Sequence, residues 1–101
     1  MAKVTKVVAQ KILADVPEEK RFWLADGRYL KNLEELSAAL AQMSPEIFRT
    51  HSNQEKTDFS NWVKDVIGDD RLAADLLKSV RREQAAKVVA ERLNVLKYAA
   101  A

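Results

Sequence analysis

The chain contains one histidine and no cysteine, so imidazole chemistry has a single place to occur, His51. The acids and hydroxyls nearest to it in sequence are Thr50, Ser52, Asp58 and Asp65. A His51–Asp58 pair, brought together by a chain reversal over the polar stretch 53–57, could orient a general base or contribute to a metal ligand set. The same two residues have structural uses that weigh more heavily. His51 follows Ile47 and Phe48 by one turn, where a helix C-terminus leaves carbonyls to satisfy, and Asp58 stands where an N-cap belongs. Asp65, Asp69 and Asp70 form an acidic cluster but lack the alternating ligand order of a calcium loop. Without cysteine there is no thiolate nucleophile, no disulfide and no cysteine-bound zinc or iron–sulfur cluster. Two isolated glycines cannot build a phosphate-cradling loop. The expectation is therefore no catalytic centre, no metal and no cofactor.

Aromatic side chains are the other carriers of chemistry. Phe59 and Trp62 recur at helical spacing and read as core. Trp23 alternates with Phe22 and Leu24, so one of these two faces should be the wetter, and Trp23 with Arg21 and Arg28 is the best candidate for a surface hot spot.

The elements that would position these residues read as mainly α: a small bundle of about five helices with a short β-hairpin near residues 21–30. Val4, Val7, Val8 and Ile12 make an amphipathic helix of residues 3–14, with a strand as the rival because of the β-branched content. Phe22-Trp23-Leu24 and Arg28-Tyr29-Leu30 flank Ala25-Asp26-Gly27, a reversal signal. Asn32 with Glu35 makes a capping box ahead of Leu33, Leu36, Leu40 and Met43. Ser44-Pro45-Glu46 opens a short helix to Ser52. Asp58 opens a helix carrying Phe59, Trp62, Val63, Val66 and Ile67, stopped by Gly68. Asp69 or Asp70 then starts a last helix with Leu72, Ala73, Leu76, Leu77 and Val80 toward the core. Unbroken to Lys97, that helix would be about 42 Å long and would overhang a domain of this size. Its far end still presents Ala85, Val88, Val89, Leu93 and Leu96, which either the first helix or a second copy of the chain must cover.

The formal net charge of +2 hides a division. Residues 1–14 carry Lys3, Lys6 and Lys11 with no acid, and residues 78–101 carry six basic residues against Glu83 and Glu91. The middle, 15–77, has eight basic and thirteen acidic residues. No apolar run resembles a secretory signal or approaches a membrane span, which points to a cytoplasmic protein with no membrane partner.

Phe22-x-Leu24-x-Asp26-Gly27-x-x-Leu30-x-x-Leu33-x-Glu35-Leu36, then His51, Asp58-Phe59-x-x-Trp62 and Gly68-Asp69-x-x-Leu72-Ala73, resembles a small, mainly helical domain family of unknown function found in archaeal and bacterial proteins. The likeness covers roughly residues 20–77 of what reads as a single domain over 1–101. It implies that this central region is the domain proper, that 1–14 and 78–101 are basic helical flanks, and that His51, Asp58 and Trp62 form a linked set.

Two functions compete on these observations. One is a non-enzymatic module for binding another protein or itself, as a homodimer, with Trp23, Arg28, Ala85, Val89, Leu93 and Leu96 as contacts. The alternative is a nucleic-acid-binding or regulatory helical protein that meets phosphates with Arg81, Arg82, Lys87, Arg92 and Lys97.

Overall fold

The computed structural model describes residues 4–101, so Lys3 lies outside the described residues. α1 spans Lys6–Leu13, and the Thr5 side-chain oxygen accepts from the Val8 N–H to cap it. The helix is rotated relative to the expected valine stripe. Ala9 and Ile12 are buried, whereas Val7 and Val8 are 59% and 46% exposed. Ala9 carries only a methyl group, so this face lets the neighbouring helix come close.

A hairpin follows a 3₁₀ turn at Glu18–Lys20. β1 (Phe22–Trp23) and β2 (Tyr29–Leu30) pair antiparallel in the register Phe22↔Leu30, Trp23↔Tyr29. α2 spans Leu33–Gln42, with Asn32 Oδ1 accepting from Glu35 N. The Glu35 carboxylate returns one residue earlier than in an ideal capping box, accepting from Lys31 N. Leu33, Leu36, Leu40 and Met43 are all buried, as their spacing requires.

α3 (Pro45–His51) starts at Ser44, whose Oγ accepts from Ile47 N. α4 (Asp58–Trp62) runs into a π-helical turn at Val63–Ile67. Gly68, at φ 88°, ends it in the left-handed conformation that glycine adopts without steric cost. α5 spans Asp70–Leu77, capped by Asp69 through Leu72 N. α6 spans Arg82–Ala100.

The single long helix expected from Asp70 to Lys97 is thus two helices. The Ser79 hydroxyl donates to the Asp75 carbonyl, and the Lys78 and Ser79 N–H groups bond back only three residues, which tightens and closes α5. The Gln84 side chain accepts from the N–H groups of Val80 and Arg81, opening α6. Arg81 between them is extended. The break folds α6 back over α1 and α2 and keeps the longest molecular axis to 36 Å. It also turns Leu77 and Val80 away from the core, where they are 59% and 83% exposed.

The arrangement is mainly α with one short hairpin. Ala85, Val89, Leu93 and Leu96 are buried within the chain, which corrects their reading as an intermolecular face: α1 and α2 already cover them. An ion pair locks the layer. Arg92 donates from Nε to Asp69 Oδ2 at 2.7 Å and from a terminal nitrogen to Oδ1 at 3.1 Å, tying α6 to the N-cap of α5.

Candidate functional site

The Asp26-Gly27 turn is built as its residue types require. Gly27 takes φ 94°, and its N–H donates to the Leu24 carbonyl. Asp26 accepts from Arg28 twice, through the backbone N–H at 3.0 Å and Nε at 2.9 Å. The Arg28 backbone bond, opposed in part by desolvation and reinforced by the guanidinium, holds the Asp26 carboxyl below its ordinary range. The ionised carboxylate that accepts both Arg28 bonds is thereby favoured. Arg28 is consequently turned into its own loop.

The two faces of the hairpin differ sharply. Inward, Phe22, Leu24 and Leu30 are buried. The Phe22 ring stacks on Phe59 at 5.0 Å and meets His51 and Trp62 edge-on at 5.1 and 5.7 Å. Trp62 Nε1–H donates to the Lys20 carbonyl, pinning the chain entering β1. Outward, Trp23 and Tyr29 are 63% and 48% exposed, their rings 4.7 Å apart and nearly perpendicular. Strand alternation puts Arg21 on Trp23's side and Lys31 on Tyr29's. The Lys31 ammonium reaches the Asp15 carboxylate at a long 3.7 Å.

His51 holds the inner face. Its Nδ1 lies 3.0 Å from Asp58 Oδ2, and its Nε2 accepts from the Ala25 N–H at 3.0 Å. That network assigns the proton to Nδ1, because Nε2 must be an acceptor. Both ring nitrogens are therefore occupied, and the imidazole fastens the hairpin to the start of α4. Asp58 does not cap α4. Thr57 precedes the helix, and the Asp58 carboxylate, in its first turn, is directed at His51. Among the described residues no three His, Asp or Glu side chains are grouped so as to hold a metal ion.

Three of the five candidate phosphate contacts are committed within the chain. Arg92 pairs with buried Asp69, Lys97 with Glu34 at 2.8 Å, and Arg82 donates to the Leu40 carbonyl at 2.7 Å while meeting Glu83. Arg81 and Lys87 are exposed. The structure thus brings Trp23, His51, Asp58 and Trp62 to the two sides of one hairpin, and leaves Ala85, Val89, Leu93 and Leu96 in the core. The surface position expected for Trp23 with Arg21 and Arg28 is met by Trp23 itself, but its ring partner is Tyr29, and Arg28 is turned to Asp26. Counting register across the Asp26-Gly27 turn would have paired positions 23 and 29.

No helix among the described residues is long and apolar enough to cross a membrane. No family model, curated protein or solved structure matches the chain.

Proposed function

We propose that the protein is a non-enzymatic binding module that recognises another protein through the outer face of its hairpin. The observation that carries this reading is the exposed Trp23–Tyr29 pair. A tryptophan left in water on a rigid, anchored hairpin has large apolar area and little conformational freedom to lose, which is the chemistry of interface hot spots. Arg21 and Lys31 beside it supply the cationic rim. Self-association through the C-terminal helix has lost its anchors to the chain's own core, so a different polypeptide is the preferred partner. The nucleic-acid alternative is weaker for a similar reason, since Arg82, Arg92 and Lys97 already have intramolecular partners.

The test is a photo-crosslinking amino acid placed at position 29 in the chain expressed in cells, with one at exposed Lys64 as control. The expected result is a discrete adduct from position 29 alone, with a protein that then binds the purified chain. Adducts of equal yield from both positions, or none from position 29, would contradict the reading.

A further inference from the structure

Leu77 and Val80 were expected in the core and are not there, and the surface they leave is shaped. On one side, Leu76, Leu77 and Val80 with Arg49 and the loop after α3 enclose a groove of about 320 Å³. On the other, Val80 and Arg49 again, with Phe48, Arg81 and Arg82, line a continuation of about 240 Å³. Since Arg49 and Val80 belong to both, the two halves form one furrow running along the α5–α6 elbow. Its apolar lining combines the aliphatic Leu76, Leu77 and Val80 with the Phe48 ring, and the loop after α3 adds polar side chains. Three guanidinium groups and one carboxylate, Glu83, supply the charges along it.

The cations are only partly spent. Arg82 is held by the Leu40 carbonyl and Glu83. Arg49 reaches Glu46 only at 3.8 Å, with both side chains largely in water, a geometry that binds weakly. Among the described residues no carboxylate lies within ion-pair distance of Arg81. Exposed aliphatic side chains beside under-compensated arginines select a ligand that is apolar on one side and acidic at its edge.

We infer that this furrow is a second docking site, and that its occupant is an acidic amphipathic segment of a partner polypeptide, with aliphatic side chains seated on Leu77 and Val80 and carboxylates meeting Arg49 and Arg81. The site is separate from the hairpin's aromatic face and stands or falls independently of it. The helix-in-groove mode supplies the physics: anchors repeat at helical spacing on one side, and the flanking charge fixes orientation.

The experiment is an NMR titration of the full chain with a synthetic end-blocked peptide. It has leucines at i, i+3, i+4 and i+7 and glutamates elsewhere, and its counterpart has lysines in place of the glutamates. The acidic peptide should give saturable amide shifts confined to residues 48–57 and 76–83, and the lysine peptide should give none there. Val80→Ser combined with Arg81→Glu alters two exposed side chains and should weaken binding about tenfold or more. Trp23→Ala should leave it unchanged. Equal binding of both peptides, shifts centred on Trp23 and Tyr29, or no saturation at about 1 mM peptide would overturn the proposal.

Discussion

His51 looks, by composition alone, like the one residue able to do acid–base work, and its surroundings convert it into a fastener. A catalytic imidazole needs one nitrogen turned toward substrate, whereas here Nδ1 faces Asp58 and Nε2 faces the Ala25 N–H. Removing the ring leaves the Ala25 N–H without its acceptor and opens space against Phe22 and Phe59. His51→Ala should therefore cost about 1–3 kcal/mol in unfolding free energy, read by urea denaturation. Asp58→Asn keeps an acceptor for the Nδ1 proton and should cost less. Two unchanged transitions would mean that the network does not hold the hairpin. The pairing of His51 with Asp58 was legible in the sequence, because seven intervening bonds of polar loop and helix end invite a reversal. The Ala25 contact was not, since a backbone N–H leaves no mark in a sequence.

At the scale of elements, the helices were legible where a single apolar stripe and a cap coincide, as in α2 behind Asn32 and α3 behind Ser44. In the C-terminal region the sequence hides the break, because Leu72 through Leu96 continues an apolar pattern across 78–81 that helical periodicity cannot distinguish from an unbroken helix. The decisive signals are local and polar: the Ser79 hydroxyl on the Asp75 carbonyl and the Gln84 amide on the next helix start. α1 was rotated for another reason. Burial chose small Ala9 over the larger valines, since close helix approach rewards a short side chain. The Asp69–Arg92 pair welds α5 to α6 across the break. Arg92→Met strands a buried carboxylate and should cost about 3–5 kcal/mol. Adding Asp69→Asn, which retains the N-cap oxygen, should restore much of that loss. A strictly additive double variant would show that the pair does not couple the helices.

Taken as a whole, the molecule separates what holds it together from what it offers to others. One buried layer joins α1, α2 and α6, and a second aromatic layer joins the hairpin to α3 and α4 through Phe22, His51, Phe59 and Trp62. Outside these layers, Trp23 with Tyr29 and Leu77 with Val80 remain exposed on opposite kinds of surface, one aromatic and one aliphatic. That division makes adjacent residues of β1 behave in opposite ways. Phe22→Ala should destabilise the fold by about 3–5 kcal/mol. Trp23→Ala removes only an exposed edge-to-face contact and should shift stability by no more than about 1.5 kcal/mol. The most direct measurement compares these two variants for unfolding free energy and for yield of the adduct formed from position 29. The account predicts that Trp23→Ala keeps its stability and loses the adduct. A Trp23→Ala chain that unfolds as readily as Phe22→Ala, or that keeps its stability and crosslinks as well as the unaltered protein, would contradict it.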